Sequence, residues 1–158
     1  MRRLMLLITA MSLLAGPAMA VQQCQSAADQ AAYEVLSLRE LMTVLVIKCN
    51  RESDYNINFI KRFQPALQDN EREVSAYFRR VYGNAGQGRK DTFTTELVNV
   101  ISQNANNQGT EFCSRGAWVL SEMNALRTMD ELTAFAAVKD VTPVGMSMCP
   151  APAAVRRR

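Results

Sequence analysis

The chain has 158 residues, with 18 basic side chains, 15 acidic side chains, four cysteines and no histidine. This length is typical of a single domain, and 48% hydrophobic with 21% charged residues is an ordinary globular composition. The lack of histidine excludes Ser–His and Cys–His catalytic pairs and most zinc and haem sites.

The start of the chain has the pattern of a secretory signal peptide. Residues 2–3 are arginines, residues 4–14 are apolar, and residues 18–20 read Ala-Met-Ala, a small-x-small cleavage motif. We expect cleavage after Ala20 and release into the periplasm or the medium. The apolar stretch is shorter than the ~20 residues of a spanning helix, which argues against a retained anchor, and no later stretch is apolar enough to span. Lipidation at Cys24 is the other alternative, but the residues before it lack small side chains.

The positive charge of the sequence lies at its two ends. The formal net charge is +3, with arginines at residues 2–3 and at residues 156–158. Because the body between these ends is not basic, we do not expect nucleic acid as a partner.

Helix 1 is predicted over residues 26–48, where apolar side chains recur at steps of three and four. Ser26 is a good N-cap, and Asp29 three residues later fits a capping box. Residues 44–47 alone would suit a strand, but the Ala-, Leu- and Glu-rich segment before them favours a helix.

Helix 2 is predicted to begin at Ser53 as N-cap and to run to about Tyr82. Pro65 lies inside its apolar pattern and is expected to kink or split it, because proline has no N–H to donate. Residues 83–88 contain three glycines and predict a loop.

Three more helices are predicted in the remainder. Asp91 caps helix 3, which ends at Gly109. Thr110 caps helix 4, and a capping box that starts at Thr128 predicts a short helix 5 over residues 129–138.

These segments predict an all-α fold, because no segment alternates with the period of a strand. The simplest arrangement is an antiparallel up-down bundle of four main helices with a short fifth, stapled by disulfides. We expect the bundle domain over residues 21–141. Residues 142–158 contain three prolines and a glycine and are expected to form an irregular tail.

Four cysteines in an exported chain imply two disulfides, for which three pairings are possible. In an up-down bundle, Cys49 at the end of helix 1 and Cys113 at the start of helix 4 lie at the same end. We therefore favour a Cys49–Cys113 bond, with a Cys24–Cys149 bond joining the chain termini.

Basic side chains gather around the end of helix 2. They are Arg72, Arg79, Arg80, Arg89 and Lys90. The last four are our candidates for contact with an anionic polymer or lipid head groups. Acidic residues lie among them, so an ordinary solvated face is the alternative. The asparagine-rich end of helix 3 is a second candidate surface.

Two further segments resemble known types of site. Met146 and Met148 carry the soft sulfur ligands that select Cu(I), and the alternative is loose packing of methionines beside a disulfide. The glycines of residues 83–88 suggest a phosphate loop, but Arg89 and Lys90 occupy the positions that require Lys and then Ser or Thr. We favour the structural alternative in both segments and expect no bound metal or cofactor.

Aromatic side chains at helical spacing could line a ligand cavity, although such residues more often fill a core. They are Tyr55, Phe59, Phe63, Tyr77, Phe78, Tyr82, Phe93, Phe112 and Trp118. The acidic residues provide no pair on one helix face that suits acid–base catalysis.

The stretch from Cys49 to Asn56, followed by Phe59 and Phe63, by Tyr77-Phe78 and by Gly109-x3-Cys113, resembles a group of small exported alphaproteobacterial proteins. The resemblance covers roughly residues 30–125. The function of this group is not known, so the resemblance implies no activity and no site residues, but it supports the Cys49–Cys113 pairing.

Three functional hypotheses follow. The leading one is a non-enzymatic periplasmic or secreted protein that binds an envelope protein or anionic polymer, as an accessory or assembly factor. The second is a carrier of a small apolar ligand or of a soft metal such as Cu(I). The third is an enzyme of envelope polymers that works without histidine.

Overall fold

The computed structural model describes residues 24–139, which form six α-helices joined by short turns. The helices are α1 (Ala27–Cys49), α2 (Glu52–Tyr55), α3 (Lys61–Tyr82), α4 (Gly86–Gln108), α5 (Thr110–Met123) and α6 (Met129–Lys139). A π-helical turn, Asn56–Ile60, joins α2 to α3, and a 3-10 helical turn, Gly83–Ala85, joins α3 to α4. The predicted all-α fold is confirmed.

The central element is α1, which packs against α3, α4, α5 and α6. Its apolar side chains are buried on every side and not along a single stripe. The most deeply buried are Tyr33, Val35, Leu36, Leu38, Met42 and Leu45. A helix that is apolar around its circumference must be surrounded by others, which is the position that α1 takes.

Ion pairs between α1 and α3 define the direction of these two helices. Asp29 near the start of α1 pairs with Arg80 near the end of α3, at 2.7 Å. Arg39, further along α1, pairs with Glu71, which lies earlier on α3, at 3.0 Å. The two helices are therefore antiparallel. Contacts between α1 and α4 join the start of one helix to the start of the other, and the end of one to the end of the other. These two helices are therefore parallel, and the chain reverses direction between α3 and α4.

A disulfide joins the end of α1 to the start of α5. The bond links Cys49 to Cys113, with a Cα–Cα distance of 5.6 Å, and so the predicted inner pairing is confirmed. Closing a loop of 64 residues stabilises the fold by about 4 kcal/mol in the chain-entropy description. Cys24 is also disulfide-bonded, but Cys149, its predicted partner, lies outside the described residues.

The aromatic side chains pack on one another in the core. Tyr33 of α1 lies edge-on to Tyr77 of α3 and to Phe93 of α4, with ring centroids 5.3 and 5.2 Å apart. Phe78 lies 6.0 Å from the same ring. These are the distances at which aromatic pairs attract each other, so these four rings form the core contact between α1, α3 and α4.

Two predicted capping boxes are confirmed. The Ser26 hydroxyl accepts a hydrogen bond from the Asp29 backbone N–H, and the Asp29 carboxylate accepts from the Ser26 N–H at 2.8 Å. Thr128 and Glu131 exchange the same pair of bonds, each at 3.2 Å, at the start of α6.

The predicted N-cap of helix 2 is wrong by two residues. Arg51, and not Ser53, precedes α2, and no side chain caps it. The reason is the turn before it, where Asn50 takes a left-handed conformation and the chain enters the next helix at once. Pro65 was predicted to kink or split helix 2. The helix is interrupted on the N-terminal side of this proline, by the π-helical turn that precedes α3. Proline cannot donate to the carbonyl of Lys61.

The predicted loop over residues 83–88 is also wrong. Only Gly83–Ala85 forms a turn, and α4 begins at Gly86, well before the expected cap at Asp91. Gly83 has φ of 57°, which permits the reversal. A Cβ on Gly86 would lie 2.8 Å from the carbonyl oxygen of Phe78, so its glycine lets α4 start directly against the α3 backbone.

Within residues 24–139, no helix combines the length and the apolar character that crossing a bilayer requires. The predicted signal peptide and the tail after residue 141 lie outside the described residues.

The hydroxyl of Tyr33 is buried and has no hydrogen-bond partner among the described residues. A buried unpaired hydroxyl costs about 1–3 kcal/mol, so Tyr33→Phe should leave the free energy of unfolding unchanged or raise it. Tyr55→Phe is the matched control, because the Tyr55 hydroxyl bonds to Thr43 at 3.3 Å. We expect the free energy of unfolding of Tyr55→Phe, measured in urea, to be about 1 kcal/mol lower than that of the wild type. A large loss of stability in Tyr33→Phe would contradict the conclusion that the Tyr33 hydroxyl has no partner among the described residues.

Gly116 of α5 allows close packing on α1. A Cβ at this position would overlap the Leu45 side chain, so Gly116→Ala should lower the free energy of unfolding by about 1–3 kcal/mol through overpacking. Gly88→Ala is the control, because no atom lies within 4 Å of its Cβ position. The free energy of unfolding of this control should rise by about 0.5–1 kcal/mol, because alanine lowers the entropy of the unfolded chain. Equal melting temperatures for the two variants would refute the close packing.

Candidate functional site

A cleft of about 520 Å³ lies between α3 and the start of α4. Its α3 wall is built from residues four apart, which share one helix face. The lining residues are Glu71, Arg72, Ser75 and Arg79 from α3, Gly83 and Asn84 from the turn, and Gln87 and Lys90 from α4. Three of these side chains are basic and one is acidic, so the cleft favours an anion.

At one end of the cleft the charges are already paired. Lys90 donates to the Glu71 carboxylate and to the Ser75 hydroxyl, the latter at 3.1 Å. Arg39 donates to the other carboxylate oxygen of Glu71 at 3.0 Å. Burial raises the pKa of Glu71, but the hydrogen bonds from Lys90 and Arg39 lower it more, so this pKa lies below its ordinary value. Glu71 is therefore ionised and joins α1, α3 and α4.

The other end of the cleft is open to an anion. Arg79 is exposed and forms no ion pair within residues 24–139. The first turn of α4 carries no acidic side chain and no side-chain cap, so the positive end of its dipole is not compensated there. The Asn84 side chain lies beside them, while the Gln87 amide donates to Asp91 at 2.8 Å.

Arg80 points to a different part of the molecule from its neighbour Arg79. Its guanidinium donates to Asp29 at 2.7 Å and lies 5.2 Å from the centre of the Tyr77 ring. Burial raises the pKa of Asp29, but hydrogen bonds from Arg80 and Ser26 lower it more, so this pKa lies below its ordinary value. Arg80 thus holds the start of α1 against the end of α3.

The structure therefore divides the predicted basic surface. Arg79 and Lys90 line the cleft, Arg80 is held by Asp29, and Arg89 lies 5.7 Å from the centre of the Tyr82 ring. In the second candidate surface, the asparagine-rich end of α4, Asn106 accepts a hydrogen bond from Lys48 of α1.

The predicted soft-metal residues, Met146 and Met148, lie outside the described residues. Within residues 24–139, no three His, Cys, Asp or Glu side chains lie close enough together to hold a metal ion.

Three polar residues of the cleft were not among the site residues predicted from the sequence. These are Ser75, Asn84 and Gln87. A signal for the first was present, because Glu71, Ser75 and Arg79 follow one another at intervals of four and so share a face of α3. The other two were both assigned to one loop, whereas Asn84 lies in the short turn before α4 and Gln87 lies in the first turn of α4.

No protein-family model matches the chain, and comparisons with curated proteins and with solved structures give no significant match.

The ion pair of Asp29 predicts a specific loss of stability in acid. Because the pKa of Asp29 is lower in the folded state than its ordinary value of 3.8, its carboxylate stabilises the fold above that pH. This contribution is lost as the pH falls through the folded pKa. Asp29→Asn should lower the free energy of unfolding at pH 7 by about 1 kcal/mol, and this difference should vanish near pH 2.

Glu73→Gln is the control for this measurement, since Glu73 is exposed and forms no ion pair within residues 24–139. Urea unfolding from pH 7 to pH 2 should give the same curve for Glu73→Gln and the wild type. A constant difference between Asp29→Asn and the wild type across this range would rule out the assigned ion pair.

Proposed function

We propose that this chain is an exported, non-enzymatic binding protein of the cell envelope, and that the cleft between α3 and α4 receives an anionic group of an envelope component. The protein would act as an accessory or assembly factor. The observation that carries the proposal is the exposed guanidinium of Arg79, which has no ion-pair partner within residues 24–139. It lines a cleft of about 520 Å³ together with the start of α4, which has no side-chain cap.

Export is supported by two features. The first twenty residues have the pattern of a signal peptide. The Cys49–Cys113 disulfide is of the kind that persists in oxidising compartments. A helical body stabilised in this way is suited to the periplasm or the cell exterior.

A binding role is supported by the state of the acidic residues. Asp29 and Glu71 are engaged by arginine or lysine, and their pKa values lie below the ordinary range. A carboxyl group that acts as a general acid needs the opposite shift. These two residues therefore serve as fixed counter-ions.

The neighbouring arginines of α3 provide a matched test. Arg79→Gln should weaken the binding of inorganic phosphate and of isolated host envelopes at least tenfold, because a charge-assisted hydrogen bond contributes about 1.5–3 kcal/mol. Arg80→Gln removes the same charge from the adjacent residue and should retain binding, although it should unfold at a lower temperature because Asp29 loses its partner. Phosphate binding is measured by NMR titration, and envelope binding by cosedimentation.

Rising salt should weaken the wild-type interaction, since screening acts on exposed charges. The proposed site would be wrong if Arg79→Gln bound phosphate and envelopes as tightly as the wild type did, or if Arg80→Gln alone lost binding.

A further inference from the structure

The cleft between α3 and α4 has two chemically different halves. Its α3 wall runs from Glu71 to Arg79, a rise of about 12 Å along a helix. The Arg79 half contains Arg79, Gly83, Asn84 and Gln87, and no carboxylate lines it. The Glu71 half contains Glu71, Arg72, Ser75 and Lys90, and its charges are largely paired.

The Arg79 half is suited to one anionic group. A guanidinium presents its N–H donors in a planar fork that matches a carboxylate or a phosphate. The positive end of the α4 dipole adds to the attraction.

The Glu71 half is poorly suited to a second anion. Glu71 already neutralises Lys90, and its negative charge would repel another carboxylate or phosphate. Arg72 has Asp69 as its own counter-ion. What this half offers to a ligand is hydrogen bonding to neutral groups.

Hydroxyl groups fit these hydrogen-bonding partners. Ser75 accepts from Lys90, which leaves its own hydroxyl proton free to donate to a ligand. Glu71 also lines the cleft. Each of its carboxylate oxygens accepts one hydrogen bond within the protein and has a second lone pair that can accept from a ligand hydroxyl. A ligand that fills both halves therefore carries one anionic group on a body rich in hydroxyls.

The cleft lining contains no aromatic and no large apolar side chain. An acyl chain would therefore find only the aliphatic stems of polar side chains to cover, and so a saccharide is favoured over a lipid as the source of the hydroxyls and the anion.

We infer that the ligand of the cleft is an anionic saccharide, a sugar unit whose carboxylate or phosphate binds Arg79 while its hydroxyls bind Ser75 and Glu71. This inference rests on the proposed function, since it names the chemical class of the envelope component. Acidic polysaccharides and phosphorylated glycans share this chemistry, and the two acid sugars of the test distinguish them.

The test compares small ligands on the full secreted protein by calorimetry and by NMR of the Arg79 and Asn84 side chains. The acid sugars are glucuronate and glucose 6-phosphate, the simple anions are acetate and inorganic phosphate, and the neutral sugar is glucose. We expect at least one acid sugar to bind tenfold or more tightly than its simple anion, and glucose not to bind. Preference for glucuronate indicates a uronic acid, and preference for glucose 6-phosphate indicates a phosphorylated glycan.

Two variants separate the two halves. Arg79→Gln should abolish the binding of acid sugars and simple anions alike. Ser75→Ala should weaken the binding of the acid sugar about threefold to tenfold, which is the effect of one hydrogen bond. The affinity for the simple anion should not change. The circular dichroism and melting temperature of each variant confirm that it is folded.

The outcomes distinguish this inference from the proposed function. If simple anions bind at the cleft as tightly as acid sugars, the saccharide is ruled out and the anion-binding cleft remains. If neither class shifts the Arg79 and Asn84 resonances, both proposals fail. Binding of phosphatidylglycerol vesicles through Arg79, without any preference for acid sugars, would replace the saccharide with a membrane surface.

Discussion

The fold depends on the burial of α1 on all of its sides. Because this helix is apolar around its circumference, one neighbour cannot cover it, and all five of the other α-helices described here contact it. Each of those helices needs only one apolar stripe and can keep a polar outer face. The amphipathic helix α3 is the clearest example, with Phe63, Leu67, Val74 and Phe78 inward and its charged residues outward. The chemistry of the molecule is therefore carried by the surrounding layer.

The charged residues of this layer divide into a structural and an available set. Arg80 holds Asp29, and Glu71 joins Arg39 to Lys90, so these pairs fasten α3 to its neighbours. Arg79 is left without a counter-ion among the described residues, although it is adjacent to Arg80 in the sequence. Each residue of an α-helix is turned by about 100° from the one before, and this rotation gives two neighbouring arginines different roles.

The sequence predicted what local chemistry determines and missed what tertiary packing determines. The caps at Ser26 and Thr128 were predictable because their partners lie three residues away, and Cys49–Cys113 followed from helix order. The start of α4 was not predictable, because Gly86 looks like a helix breaker until the α3 backbone is seen against it. The cleft was only half predictable for the same reason. Its basic residues were visible in the sequence, but Gln87 enters it only because α4 begins early.

The length of α1 also controls which cysteines can meet. Cys24 and Cys49 are the closest pair in the sequence, and so loop-closure entropy alone would favour joining them. Cys24 precedes α1 and Cys49 ends it, and a helix of 23 residues spans about 35 Å. A disulfide requires Cα atoms within about 7 Å. In the folded protein α1 is therefore a rigid spacer that keeps Cys24 and Cys49 apart, and Cys49 is bonded instead to Cys113, which α5 places at the same end.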